Sequence, residues 1–233
     1  MKNSNQFCSF IFCFCLAATA IGQSIPELEN HKIISGYELT AGVGLLKSST
    51  YYQDYKNKIG YSFGGGVFHK FSKTFELKVR ALYELKGSKT ENRASFTKYD
   101  VTTDVTQLVS TNLHYATISV MPTFHLLKNK RLLLGAGGFY SVMTSIKIYE
   151  DRTDNDTGIT TPINHSGGNT SYLRGQRDFG ISGYAGYVIN LSKKTDLALM
   201  LHYNKSLTDF NDAYSTWQRN NVILFSATFT YHR

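Results

Sequence analysis

Between Thr74 and Lys86 the chain alternates apolar and charged residues almost without interruption. Successive side chains of a strand face opposite sides, so this segment has two unlike faces. Phe75, Leu77, Val79, Ala81, Tyr83 and Leu85 form one; Glu76, Lys78, Arg80, Glu84 and Lys86 form the other, with Leu82 the apolar exception. Seven segments alternate in this way, and one further run is strand-like. A soluble barrel or sandwich turns the apolar face inward, whereas a lipid-embedded barrel turns it outward. Periodicity alone does not choose between them.

Compartment narrows the choice. Lys2 is the only charge in the first 22 residues, Phe7–Leu16 is apolar, and Ala17, Ala18, Ala20 and Gly22 are small. That is the pattern of a secretory signal, with cuts available after Ala20 or Gly22, the second favoured, leaving Gln23 as the new terminus. Residues 1–22 are therefore expected to be a signal peptide, 23–34 a short periplasmic segment and 35–233 the folded domain. All three cysteines, Cys8, Cys13 and Cys15, lie in the signal, so the mature chain has no disulfide, cysteine metal site or thiol nucleophile. Removing the signal lowers the net charge from +8 to +7. Export argues against nucleic acid as the basic chain's partner and favours anionic head groups or surface polysaccharides. No later run of 18 apolar residues could form a spanning helix. A membrane-spanning mature chain must then be a closed barrel, which satisfies its own backbone.

Strands are expected at 35–47, 58–71, 74–87, 112–126, 132–149, 176–190, 196–207 and 219–232. The connections at 72–73, 128–130 and 192–194 are tight and polar, while those at 48–57, 88–111, 150–175 and 208–218 are long. Short and long connections alternate strictly, as in a barrel with short periplasmic turns and long extracellular loops. The predicted fold is all-β: an eight-stranded antiparallel up-and-down transmembrane β-barrel with both termini on the periplasmic side.

The outward faces follow from parity. They are led by Tyr37, Leu39 and Val43; Tyr61, Phe63 and Val67; Ile118, Val120, Pro122 and Phe124; Phe179 and Ile181; Leu197, Leu199 and Leu201; and Ile223, Phe225 and Phe229. The strand at Leu132–Tyr149 contains Gly135, Gly137 and Gly138 and has no clear parity, which leaves its register open and admits a bulge. Proline cannot donate to a ladder, so Pro122 should mark a bulge or break near the periplasmic rim. Aromatic belts are expected from Tyr51, Tyr52, Tyr55, Tyr214 and Trp217 on the loop side and Phe71, Phe75, Phe229 and Tyr231 on the turn side. Inside, Gly60, Ser62, Gly64 and Gly66 leave room for the long side chains of the third strand. Glu38, Glu76, Lys78, Arg80, Glu84, Asp178 and His202 are expected to share the lumen as an interior polar network. An eight-stranded lumen holds only side chains, so these charges should pair and rigidify the barrel rather than line an open channel.

Three stretches carry a family resemblance: Tyr115-Ala116-Thr117-Ile118-Ser119-Val120-Met121-Pro122, Gly135-Ala136-Gly137-Gly138-Phe139-Tyr140, and Asp178-Phe179-Gly180-Ile181 followed by Tyr203-Asn204-Lys205-Ser206-Leu207-Thr208-Asp209. Together they resemble the outer-membrane β-barrel family typified by PorT-like proteins of Gram-negative bacteria, over nearly all of the mature chain. Ser206 stands where that family usually has glycine. The resemblance implies an eight-stranded outer-membrane barrel, and some members are linked to type IX secretion of surface proteins.

Chemistry is thinly represented. His202, Ser206 and Asp209 are the best set for a lipid hydrolase or acyltransferase, but residues four apart on a strand are roughly 13 Å from each other. His114 or His165 could supply a base only from another strand. Asp151, Asp154 and Asp156 have oxygen-rich spacing but lack the pattern of a calcium-binding EF-hand loop, which favours a hydrated turn. The loop tip at Asn164, His165, Ser166, Gly167, Gly168 and Asn169 suits recognition rather than catalysis. The expected role is that of a monomeric, cofactor-free and metal-free non-enzyme in the outer membrane. It would contact outer-membrane lipids and, through loops or periplasmic turns, an envelope or secretion partner protein. The alternatives are a lipid-modifying enzyme and a soluble periplasmic ligand-binding barrel.

Overall fold

Strands rich in aromatic and β-branched residues, joined by polar turns, satisfy their backbone only by pairing with one another. In the computed structural model they do so in a closed ring. The structure describes residues 34–49, 56–98, 101–127, 129, 131–164, 177–208 and 219–233. The strands are β1 (Gly36–Ser49), β2 (Lys58–Lys70), β3 (Phe75–Lys98), β4 (Val101–Leu126), β5 (Leu132–Asp154), β6 (Thr160–Asn164), β7 (Arg177–Asn190), β8 (Thr195–Ser206) and β9 (Arg219–His232). Antiparallel pairing runs β1–β2–β3–β4–β5–β7–β8–β9, and β9 closes on β1. The ring thus has eight strands and no open edge, while β6 pairs only with the far end of β5.

The apolar face points outward. Leu39, Val43, Ile118, Leu201 and Phe225 are all more than half exposed. In water so many exposed large apolar side chains would be costly; in lipid they are the required surface. A soluble barrel would need the opposite arrangement. On the turn side the rings of Phe71, Phe75 and Phe124 follow one another at 5.5 and 5.0 Å. On the loop side Tyr61, Phe63 and Tyr83 cluster within 6.5 Å. The expected belt residues Tyr51, Tyr52, Tyr55, Tyr214 and Trp217 lie outside the described residues, as do the signal segment and residues 23–33.

One of the expected long loops proves to be largely sheet, and the first part of another joins it. The segment 88–111 continues β3 and β4 as an unbroken ladder from Phe75↔Phe124 up to Lys98↔Val101. Beyond Gly87 this hairpin stands roughly 40 Å along the strand direction, at about 3.4 Å per residue. Beyond the apolar wall the apolar–polar alternation ceases, so parity has nothing to register there. Its β-branched content (Val101, Thr102, Thr103, Val105, Thr106, Val109) nevertheless suits a strand. The start of 150–175 likewise extends β5 to Asp154, turns, and returns as β6. Above the ring, β3, β4, β5 and β6 therefore form a four-stranded sheet.

The irregularities fall on β4 and β5. Between His114↔Ser145 and Tyr115↔Met143 the register shifts by one, leaving Thr144 as the extra residue. Its hydroxyl donates to the His114 carbonyl at 3.1 Å, satisfying an acceptor exposed by the bulge. Pro122 breaks the ladder without a bulge: pairing to β5 lapses at Met121 and Pro122, and the same register resumes at Thr123↔Gly135. Pro122 is itself buried, although its parity belongs to the lipid face.

Candidate functional site

The interior is where polar chemistry concentrates, and glycines on β2 make it so. Glu38, Gly66 and Arg80 lie side by side across β1, β2 and β3. A Cβ on Gly66 would meet the Val79 carbonyl at 2.5 Å and Arg80 Cγ at 3.0 Å. Without it, the Arg80 side chain passes over β2 and its guanidinium reaches the Glu38 carboxylate, donating from Nε and, at 3.3 Å, from the second terminal nitrogen. Lys78 Nζ donates to Glu38 at 2.9 Å and lies 3.2 Å from Glu76. His125 Nε2 stands 3.0 Å from the same Glu76 oxygen. This turn-side group is capped by rings: Lys78 over Phe68 and Arg80 over Tyr184, at 5.7 and 5.3 Å.

A second group lies toward the hairpin end. Lys86 Nζ is 3.3 Å from both Glu84 and Asp178 and sits over the rings of Tyr115 and Phe139. Asp178 also accepts from Ser206 at 2.9 Å and Thr208 at 3.0 Å. Thr117 joins Glu84 to Ser141. Every carboxylate in both groups therefore faces a cation or His125, and Glu84 and Asp178 also face hydroxyls, the condition under which buried charges are tolerated. Between the groups, Ser62, Arg80, Glu84, Thr117, His202 and Asn204 help line a cavity of about 30 Å³. That is room for one or two waters.

All seven residues singled out from the sequence sit on this buried side of the wall, each no more than 8% exposed. Six share the two charge groups, while His202 stands apart against the Tyr184 ring at 5.0 Å. Its Nε2 has no hydrogen-bond partner among the described residues. Lys86, fully buried, and His125 join the network without being expected there, although the parity of Lys86 with Glu84 announces it. Also unanticipated is the apolar share of the interior, with Phe68, Leu113, Tyr115, Met121, Leu133 and Met200 all nearly inaccessible. Parity tells which side a residue faces, and both sides of this wall accept apolar groups.

The hydrolytic set does not assemble among the described residues. Ser206 donates its hydrogen bond to Asp178, and His202 packs on Tyr184. Asp209 and His165 lie outside the described residues. His114 Nδ1 is engaged by the Tyr83 hydroxyl at 2.7 Å, on the outer face. Among the described residues no cluster of three or more metal-ligating side chains occurs. Asp154 instead organises the β5–β6 turn, its carboxylate accepting from the Asp156 and Thr157 amides at 2.9 and 3.0 Å. The Thr157 amide, followed by that of Asp156, holds this carboxyl below its ordinary range.

Comparison with known proteins bears on this architecture. A family model described as outer membrane protein beta-barrel domain matches residues 29–212. No curated protein matches the chain in sequence. Among solved structures, the attachment invasion locus protein Ail of Yersinia pestis is 9% identical with a TM-score of 0.38, covering 85% of this chain and 99% of its own. Neisserial surface protein A is 12% identical with a TM-score of 0.41, covering 84% and 97%. OprG from Pseudomonas aeruginosa is 12% identical with a TM-score of 0.34, covering 89% and 100%.

Proposed function

The chain belongs to the outer membrane protein β-barrel domain family, and from that premise we propose that it is a monomeric membrane anchor presenting a sheet platform to an envelope partner protein. One observation carries the reading: the β3–β4 ladder continues without a break far beyond the wall and is flanked by β5 and β6. A sheet standing in water with edge strands is a surface on which another chain can add a strand or dock. The ion-paired interior fits a rigid support for that platform better than a passage for solute. A PorT-like place in a secretion assembly is the finer form of the same proposal.

The test separates anchor from platform. A variant in which residues 88–111 are replaced by an Asn-Gly turn is expected to insert and to keep a faster unboiled band on gels. A photo-crosslinker at exposed Asn92 of the intact protein should give one discrete protein adduct in cells. Lipid hydrolysis by the purified barrel, or no adduct from any hairpin position, would overturn the proposal.

A further inference from the structure

The lipid-facing wall carries a constellation independent of both the interior and the platform. Lys56 bridges to Lys89, which brings Lys58, two residues on, beside Gly87. Gly87 has no side chain and a φ of 134°, and Lys58 reaches across it to β4. There its ammonium donates to Ser110 Oγ and the Thr111 carbonyl, both at 2.9 Å, and to Asn112 Oδ1. Asn112 is paired across the sheet with Lys147, and Ser110 with Lys89. Three lysines thus flank one stretch of β4, Lys58 by its hydrogen bonds and Lys89 and Lys147 by strand pairing. The charge of Lys89 acts on Lys58, and those of Lys58 and Lys147 both act on His114 just below. All three acceptors of Lys58 are neutral, so its charge is held in place and left uncompensated. Among the described residues no carboxylate pairs with Lys58, Lys89 or Lys147; Glu91 is occupied by Lys56 and Arg93, and Glu150 by Arg152.

Below the lysines the same four strands form an apolar trough. Descending the ladder, His114 is followed by Tyr83↔Ala116 and then Ala81↔Ile118. The small Ala81 and Ala116 lie among Phe63, Tyr83, Ile118 and Tyr140 in an open depression of about 450 Å³. That is within the usual size of a small-molecule site. The height fits a lipid as well. Leu85 lies about ten residues above Phe75, and roughly 9–11 residues of tilted strand cross the hydrocarbon. The lysines therefore stand where acyl chains meet head groups, on the hairpin side, which is the outer leaflet.

We propose that this face binds a phosphorylated glycolipid of the outer leaflet, its phosphate held by Lys58, Lys89 and Lys147 and one acyl chain laid in the Ala81–Ala116 trough. Three uncompensated cations call for more negative charge than the single phosphodiester of an ordinary phospholipid carries. A basic patch at the membrane surface attracts such head groups directly.

The experiment is native mass spectrometry of the detergent-purified barrel with bisphosphorylated lipid A, its dephosphorylated form, or phosphatidylglycerol. Wild type should retain the bisphosphorylated lipid about tenfold over either of the others. Lys89→Gln with Lys147→Gln should abolish that preference. Ala116→Phe, which fills the trough without touching the charges, should lower retention of the bisphosphorylated lipid. Faster unboiled gel mobility establishes that each variant is folded. Lys147→Gln alone, whose side chain makes no hydrogen bond among the described residues, is the second variant if the pair fails to fold. Equal retention by wild type and the folded variants would overturn the site, and equal retention of phosphatidylglycerol would overturn the glycolipid as its occupant.

Discussion

Glu38→Gln is the sharpest perturbation of the interior. Glu38 faces two cations, Lys78 at 2.9 Å and the Arg80 guanidinium, and its side chain has no exposed area. Removing its charge does not treat the two alike. Lys78 keeps Glu76 at 3.2 Å, whereas Arg80 has no other carboxylate among the described ion pairs. One fully buried guanidinium is left uncompensated, and stranding a buried charge costs about 3–5 kcal/mol. The retained amide oxygen still accepts a hydrogen bond, which places the expected loss near the lower end, about 3 kcal/mol. Adding Arg80→Gln removes the stranded charge, so the double variant should recover most of that loss. Urea titration of the barrel in lipid vesicles, read by the fraction migrating as the fast unboiled band, measures both. A single variant within about 1 kcal/mol of wild type, or a double variant no more stable than the single, would refute the argument that Glu38 is there to balance Arg80.

Leu199→Arg places a charge on the lipid face and should cost about 2–4 kcal/mol of insertion, seen as loss of the fast band. Lys78→Gln should cost less, because Glu38 keeps Arg80 and Glu76 keeps His125; equal effects would undo the assignment of inside and outside. Gly135→Ala brings a methyl to 2.4 Å from the Tyr184 ring, and the overpacking should destabilise the barrel by about 1–3 kcal/mol in the same titration. The depressed Asp154 carboxyl supports its turn at neutral pH. That support should persist above the ordinary carboxylate range and disappear as pH falls through the lowered value, with faster hydrogen exchange at the Asp156 and Thr157 amides.

Strand parity is legible wherever lipid lies on one side of the wall and packed side chains on the other. β3 shows this best: Glu76, Lys78, Arg80 and Glu84 all turn inward, as their spacing requires. The same signal fades along Thr90–Lys98 and Val101–Val109, beyond the apolar wall, and a regular ladder there reads as a loop. β5 hides its parity for another reason, since Thr144 adds a residue and reverses the phase of everything beyond it. Long-range pairing is also silent in the sequence. Lys86 announces its side of the wall, but that it meets Asp178, 92 residues away, follows only from ring closure through β5 and β7.

The buried charges also give the barrel a reason to close in one register. A slip of one residue between neighbouring strands sends every side chain to the opposite face. For β3 that would carry Glu76, Lys78, Arg80, Glu84 and Lys86 into hydrocarbon, where charge at the midplane is strongly disfavoured. A slip of two keeps the faces but separates the rows: Glu38 would no longer share a row with Gly66 and Arg80. In one direction Phe68 would then stand where Arg80 crosses; in the other Gly64 leaves the space open, but Glu38 is still a row away from Arg80. Apolar wall and lipid together fix which face is outside but not the stagger of the strands. The stagger is set by pairs such as Glu38–Arg80 and Lys86–Asp178, which meet only at one offset. The charges that cost most to bury are thus the ones that make the closed ring unique, and a ring held in one register is what an extended hairpin needs beneath it.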